Sequence, residues 1–221
     1  MINKGDFIEI DYIGRLKDNN EIFDLTNKDD AKKNNIYNDK FKYGSKIICV
    51  GNSILVNGLD EFLIGKECKE YKIELLAEKA FGKKDPKLMK LVSISMFNKQ
   101  KIKPFPGLQL NFDGMLGTVK TVSGGRVIVD FNHPLAGREV IYDIKIKRIV
   151  NEDKEKIDSL LEQIFGKKIE FELKNHKLTI KLDINTALKE AITKNIKECI
   201  TSIKDVEFVT INKEKKTNTK Q

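Results

Sequence analysis

Proline and glycine are unevenly distributed along this chain of 221 residues, and their distribution divides it into three segments. All four prolines fall between residues 86 and 134, and after Val150 there is no proline and a single glycine, Gly166. Both residues mark turns and weaken the interior of helices and strands. We therefore predict a first domain over residues 1–83 plus 138–150, an inserted domain over 84–137 and a C-terminal domain over 151–211.

The first domain shows the pattern of an antiparallel sheet with one short helix. Residues 6–17 alternate apolar and polar side chains, which predicts a strand, and residues 18–20 predict a tight turn into a second strand. The polar stretch 26–45 has no period and is expected to be irregular. Leucine and phenylalanine recur at helical spacing within residues 51–65, and alternation returns at 140–150, which should rejoin the first sheet.

The other two segments have patterns of their own. Strands are predicted in the insert at residues 108–112, 116–122 and 126–131. In the C-terminal segment, apolar residues at helical and then alternating spacing predict the order αββαβ. Residues 212–221 are polar and rich in lysine, so a disordered tail is expected there.

Composition restricts the environment and the partners. The sequence starts without the continuous apolar run of a signal peptide or membrane span, and Cys49, Cys68 and Cys199 are too scattered for a zinc site or a disulfide framework. We expect a soluble cytoplasmic protein, no membrane contact, and cysteines that serve as small buried apolar residues. Residues 84–133 contain eight basic and three acidic residues, a net charge of +5, but arginine is scarce throughout the chain, which argues against sequence-specific nucleic-acid binding.

No group of residues has the spacing of a nucleophilic, metal-dependent or acid-base catalytic site. His133 and His176 are distant in sequence, and no phosphate-binding glycine loop is present. One reaction that needs no such group is rotation about an X-Pro bond, whose barrier of roughly 18–20 kcal/mol arises from amide resonance. An apolar cradle can lower that barrier.

Four motifs in order closely resemble a domain of the FKBP family of peptidyl-prolyl cis-trans isomerases. They are Y-x-G-x-L at 12–16, F-D at 23–24, L-V-x-G-L-D-x-x-L-x-G at 55–65 and A-F-G at 80–82. The N-H-P-L-A-G run at 132–137, after an expanded flap, resembles the SlyD branch. Together these motifs cover about 150 residues, and long archaeal members carry a similar C-terminal addition.

The resemblance implies an α+β fold, an FKBP-like antiparallel half-barrel around a short helix, with the insert-in-flap domain over its open side. By position, the residues of the prolyl pocket are Tyr12, Phe23, Leu55, Val56, Leu59, Phe81 and Tyr142. Asp24 would lie at the rim facing the rotating carbonyl, and the Val56 N–H would hold a substrate carbonyl. Phe81 departs from the family, which usually has tyrosine there. SlyD proteins often end in a histidine-rich tail, whereas this chain ends in NKEKKTNTKQ, so neither a metal nor a cofactor is expected.

Each of these residues also has a simpler interpretation. The aromatic and aliphatic residues could belong to an ordinary core, Asp24 could form an Asx turn, and His133 could be a turn residue held by hydrogen bonds. The ordered motifs favour the pocket over an ordinary core for the aromatic and aliphatic residues. For His133 the turn is favoured over a metal-ligand role, because no second ligand stands nearby.

Three functions compete at this stage. The first is an isomerase with chaperone activity, whose partners are unfolded polypeptides and proline-containing peptides. The second is a holdase with little turnover. The third is a nucleic-acid or ribosome-associated protein, which is disfavoured by the near absence of arginine and of interleaved aromatics and by the lack of a GxxG loop in the C-terminal segment. The apolar faces of the two C-terminal helices also predict a homodimer, and the alternative is a monomeric domain packed against the isomerase.

Overall fold

The computed structural model describes residues 1–52 and 55–210. The tail at 212–221 lies outside the described residues. The helices and strands, in chain order, are β1 (Phe7–Leu16), β2 (Ile22–Leu25), α1 (Lys28–Lys33), β3 (Lys46–Cys49), α2 (Asn57–Leu63), β4 (Glu70–Leu75), β5 (Met89–Ser93), α3 (Ile94–Lys99), β6 (Gln109–Phe112), β7 (Met115–Ser123), β8 (Arg126–Asp130), β9 (Val140–Val150), α4 (Asp153–Phe165), β10 (Phe171–Lys174), β11 (Lys177–Lys181), α5 (Thr186–Cys199) and β12 (Asp205–Val209). The chain therefore has a mixed α and β fold.

The described residues divide into two compact units. The first contains Met1–Gly14, Ile22–Lys72 and the chain from Tyr142 onward, and the second contains Arg15–Glu21 and Ile73–Ile141. These units do not coincide with the three domains drawn from the proline and glycine distribution, and those domain limits stay a prediction. No helix within residues 1–52 and 55–210 is long and apolar enough to span a bilayer.

The principal sheet has five strands in the order β2-β1-β9-β4, with β3 paired to β1. The alternation predicted for β1 is present, because Ile8 and Ile10 are fully buried while Glu9 between them is only half-buried. The pairing of β1 with β3 is antiparallel and aligns Phe7 with Cys49. This strand arrangement carries the aromatic residues described below.

The expectation of an irregular backbone throughout residues 26–45 is wrong, because α1 lies within this stretch. Asn27 caps the helix, since its side-chain oxygen accepts from the backbone N–H groups of Asp29 at 2.7 Å and Asp30 at 3.3 Å. Ala31 is fully buried and anchors the short helix. Six residues are too few for a visible apolar period, so the helix depends on its cap and on tertiary burial.

The second unit contains a four-stranded antiparallel sheet in the order β5-β8-β7-β6. Its core is formed by Phe97 from α3 with Val119, Val127 and Val129 from the two central strands. Neither β5 nor α3 was anticipated from the sequence. The sheet buries one face on this core and leaves the other face open.

A polar network surrounds Asp130 at the end of β8. Its carboxylate is only 5% exposed, and Oδ1 accepts hydrogen bonds from the Asn132 backbone at 3.0 Å and side chain at 2.8 Å. The ammonium groups of Lys84 and Lys120 lie 3.5 and 3.8 Å from Oδ2. Burial raises the pKa of Asp130, but the Asn132 hydrogen bonds and the two lysine charges outweigh it and bring the pKa below its ordinary value.

The C-terminal elements run α4-β10-β11-α5-β12, with a three-stranded sheet in which β10 and β11 are antiparallel and β11 and β12 are parallel. Ile157 and Leu161 of α4 and Ile196 of α5 are fully buried in a core that also contains Phe7 and Cys49. Most of the apolar helix surface from which the homodimer was inferred is therefore covered within the chain. The homodimer itself stays a prediction.

Candidate functional site

Tyr12 and Asp24 are joined across the β1–β2 pair. The Tyr12 hydroxyl donates to Asp24 Oδ2 at 2.8 Å, and the Asp24 carboxylate is otherwise exposed. Tyr12 N donates to Thr26 Oγ1, and Thr26 N donates to the Tyr12 carbonyl, both at 3.0 Å. These two bonds hold the segment that follows β2 against β1. The sequence placed both residues in one site, and the structure brings them into contact.

Three aromatic rings meet beside this hydrogen bond, and we call Tyr12, Phe23 and Tyr142 the aromatic cluster. The Tyr142 ring on β9 lies 6.0 Å from that of Tyr12 and 5.8 Å from that of Phe23, with interplanar angles of 67° and 88°. Edge-to-face packing of this kind directs the positive ring edge at a negative ring face. The cluster therefore provides an apolar wall next to one carboxylate.

Gly14 makes this packing possible, although sequence reasoning did not assign it to the site. A Cβ atom at Gly14 would lie 2.7 Å from Cζ of Phe23 and 2.9 Å from Cε1 of Tyr142, closer than real Cβ contacts allow. The reason for glycine is space, because its φ is not positive. The available signal was the glycine in the motif at 12–16.

Both tyrosines of the cluster are held in their neutral forms. Burial raises the pKa of Tyr12 far above its ordinary value, and the negative charge of Asp24 raises it further. The same two causes, in the same order, raise the pKa of Tyr142. Tyr12 thus remains a hydrogen-bond donor to Asp24 over the whole neutral range, and neither hydroxyl is suited to act as a base.

Leu55, Val56 and Leu59 lie at and before α2. Leu55 and Val56 are half-buried, and the Val56 carbonyl caps the helix by accepting from Leu59 N at 2.9 Å. Leu59 is fully buried, and the neighbouring Asp60 accepts from Gly51 N at 2.8 Å, which ties the preceding loop to α2. Full burial suits a pocket floor and a core residue equally, so the pocket role of these three residues stays a prediction.

Phe81 belongs to the second unit. Its ring stacks on His133 with centroids 4.8 Å apart and an interplanar angle of 3°. His133 Nδ1 accepts from Leu135 N at 3.2 Å, and Gly137 N donates to Gly82 O at 2.8 Å, so the A-F-G and N-H-P-L-A-G segments are bonded to each other. His133 thus has the geometry of a turn residue.

The part of the chain that the structure describes contains no group of three or more histidine, cysteine, aspartate or glutamate side chains able to hold a metal ion. The aromatic cluster and Asp24 offer apolar contact, one carboxylate and hydrogen bonding.

Comparison with known proteins adds the family. A short-type peptidyl-prolyl cis-trans isomerase of Methanocaldococcus jannaschii is 32% identical over 150 residues, which cover 67% of this chain and 94% of the relative. The chain belongs to the FKBP-type peptidyl-prolyl cis-trans isomerases. This membership was predicted from the four motifs and is confirmed.

Further FKBP-type relatives match a shorter part of the chain. The FKBP-type 16 kDa isomerase of Escherichia coli K12 is 32% identical over 105 residues, 45% of this chain and 70% of the relative. A probable FKBP-type 16 kDa isomerase of Pseudomonas fluorescens is 30% identical over 103 residues, 44% of this chain and 67% of the relative. A family model described as the FKBP26 IF domain matches residues 90–135, the stretch that carries α3, β6, β7 and β8 and all of β5 except Met89.

Proposed function

We propose that this FKBP-type isomerase rotates X-Pro bonds of unfolded or partly folded polypeptides in an apolar site built on the aromatic cluster and Asp24. The observation that carries the proposal is the Tyr12–Asp24 hydrogen bond beside the three packed rings. The proposed site also includes Leu55, Val56 and Leu59 of the first unit, and the role expected of Phe81, which belongs to the second unit, stays a separate prediction. No covalent intermediate and no proton transfer are required.

The physical reason lies in the charge distribution of the amide. A planar amide has a charge-separated resonance form that water solvates well, and rotation through about 90° removes much of that resonance. An apolar wall therefore disfavours the planar ground state more than the twisted state, which lowers the barrier between them. The Tyr12 hydroxyl fixes the Asp24 carboxylate, so that its charge faces the rotating carbonyl from one direction.

A protease-coupled isomerisation assay on X-Pro peptides tests the proposal. Asp24→Ala is expected to lower kcat/KM by at least tenfold, and Tyr12→Phe by about three- to tenfold because one hydrogen bond of about 0.5–1.5 kcal/mol is lost. Asp183→Ala, which removes an exposed aspartate elsewhere in the first unit, is the matched control. Full activity in both site variants would show that the site lies elsewhere.

We further propose that the open face of the four-stranded sheet binds unfolded chains. Leu91 and Ile128 are directly paired across β5 and β8, and Leu91 is 62% exposed. Exposed leucine and isoleucine side by side on a sheet form an apolar surface that suits a non-native segment. The net charge of +5 over residues 84–133 would favour acidic clients.

The double substitution Leu91→Thr and Ile128→Thr keeps the strands but removes this apolar pair. It should leave turnover of tetrapeptides within about twofold and slow the proline-limited refolding of a protein client by about tenfold, because local concentration of the client is lost. Val92 and Val127, the neighbouring pair on the buried face, are left intact so that the fold is preserved. Equal refolding rates with both proteins would remove the chaperone role.

A second candidate is a holdase with little isomerase turnover, and Phe81 is the observation that favours it. The Phe81 ring lacks the hydroxyl that would donate to a substrate, and it is stacked on His133. Phe81→Tyr is expected to preserve or raise kcat/KM, by up to about tenfold if one hydrogen bond is restored. Client binding by a wild-type protein that turns over no X-Pro peptide would favour the holdase.

A further inference from the structure

Two of the three cysteines, which lie 150 residues apart in the sequence, meet in one hydrophobic core of the first unit. Cys49 is the last residue of β3 and is 3% exposed, and Cys199 is the last residue of α5 and packs half-buried against the same core. We call them the thiol pair. Cys68 is exposed, so the expectation of three small buried apolar cysteines is wrong for this residue.

A hydrogen bond joins the two sulfur atoms of the thiol pair, with Cys49 as donor and Cys199 as acceptor. This bond lowers the pKa of Cys199, although burial and the charge of Glu198 act in the opposite direction. The same bond raises the pKa of Cys49, and burial raises that pKa further. Cys199 therefore ionises first, while Cys49 stays protonated beside it.

Both members of the thiol pair are held by ordered elements. Cys49 lies directly opposite Phe7 in the pairing of β3 with β1, and its Sγ is 3.8 Å from the carbonyl oxygen of Gly5. Ile200, which follows Cys199, is 2% exposed and anchors the end of α5 in the core. The end of a helix yields more readily than its middle, so the Cys199 sulfur can make the short approach that an S–S bond requires.

The two thiols differ in their access to solvent. Partial exposure of Cys199 allows a small oxidant to reach its sulfur, whereas Cys49 is shielded. A reactive cysteine needs both access and thiolate character, and a resolving cysteine needs only to stand next to it. The negative end of the α5 dipole disfavours a thiolate at Cys199, so the hydrogen bond from Cys49 is the interaction that supports it.

We propose that Cys199 and Cys49 form a redox site that a hydroperoxide oxidises to an intramolecular disulfide between α5 and β3. The Cys199 thiolate attacks one peroxide oxygen, which breaks the O–O bond, releases hydroxide and leaves a sulfenic acid on Cys199. The Cys49 sulfur then attacks the Cys199 sulfur, and the sulfenic hydroxyl leaves as water with the Cys49 proton. The proton that Cys199 lost neutralises the hydroxide. Two thiols are thus oxidised by two electrons, and hydrogen peroxide is reduced to two water molecules.

The disulfide would fasten the C-terminal elements to the principal sheet. In the reduced chain these elements share a core with Phe7 and Cys49 and are held there by packing. A cross-link between residues 49 and 199 would restrict the unfolded chain over a long loop, which stabilises the folded state. Mild oxidation should therefore stabilise the first unit.

An equimolar amount of hydrogen peroxide, added to the reduced full chain, tests the redox site. Thiol titration should fall from three free thiols to one, and proteolytic mapping should find residues 49 and 199 in one linked peptide. Cys68→Ser is the matched control and should form the same link, whereas Cys199→Ser should form no intramolecular link. Three thiols that remain free, or a link that involves Cys68, would overturn the proposal.

Two further measurements test the order of events and the consequence. In Cys49→Ala, Cys199 should persist as a sulfenic acid and label with dimedone about tenfold more than in the wild type, because no second thiol resolves it. The thermal midpoint of the oxidised wild type should lie about 5–10 °C above that of the reduced protein, and dithiothreitol should reverse the shift. Equal dimedone labelling in the two proteins would refute the resolving role of Cys49. Equal midpoints would refute the stabilising cross-link.

Discussion

Removal of residues 151–221 is the perturbation for which the structure makes the sharpest prediction. All motifs of the family lie within residues 1–150, and from them alone this segment would be expected to fold and to isomerise X-Pro bonds independently. In the structure, Phe7, Cys49 and Val150 are almost fully buried in a core shared with Ile157 and other residues of the C-terminal elements. Truncation would expose these three side chains to water.

The magnitude follows from burial. Complete exposure of a side chain of the size of Phe7 or Val150 costs about 1.5–3 kcal/mol, so the two together account for about 3–6 kcal/mol, an upper value because unfolded chains are partly compact. Domains of this size have a free energy of unfolding of about 5–15 kcal/mol. The truncated protein should therefore be marginally stable, with reduced activity caused by partial unfolding.

Urea unfolding followed by far-ultraviolet circular dichroism measures this loss, because the chain has no tryptophan for a fluorescence probe. In the full chain, Leu160→Ala on the buried face of α4 should lower the free energy of unfolding by about 2–5 kcal/mol. The control Ile164→Ala, on an exposed position of the same helix, should change it by less than about 0.5 kcal/mol. A segment 1–150 with the midpoint of the full chain, or equal midpoints for the two variants, would refute the shared core.

Three further predictions concern packing, pH and association. Gly14→Ala should lower the free energy of unfolding by about 1–3 kcal/mol and reduce kcat/KM, because the new Cβ displaces the Phe23 ring. A thermal melt measures the loss of stability and the peptide assay measures the loss of activity. No change in either quantity would contradict the packing. Asp130 has a folded-state pKa below its unfolded value of about 3.9, so its contribution to stability is present above that pH and is lost as pH falls through the folded pKa. As the pH is lowered from about 6 to about 2, the urea midpoint should therefore fall less steeply in Asp130→Asn than in the wild type. Parallel curves for the two proteins would refute this. Sedimentation equilibrium at tens of micromolar tests the homodimer, for which little exposed apolar surface is left on α4 and α5. Binding to RNA that weakens steeply with added salt would revive the nucleic-acid hypothesis.

Several elements of the fold, and the candidate residues of the site, could be predicted from the sequence. Alternation predicted β1, and the family resemblance assigned Tyr12, Phe23, Asp24 and Tyr142 to one site. The structure brings these four side chains together, while their role in a prolyl site stays a prediction. Periodicity also predicted the helices α4 and α5, each with one apolar face. These successes share a cause, because local backbone geometry and side-chain polarity are properties of short stretches of sequence.

What covers those apolar faces was decided only by the tertiary structure. Periodicity marks Ile157 as buried but cannot say whether its partner is a second chain or Phe7, which lies 150 residues away in the sequence. The helix at Lys28–Lys33 was missed for the same reason, since six residues depend on the burial of Ala31. Gly14 likewise acquires its role from two rings that approach it from different strands. Contacts between distant segments are selected by the packing of the whole chain, and that information is absent from any single stretch of it.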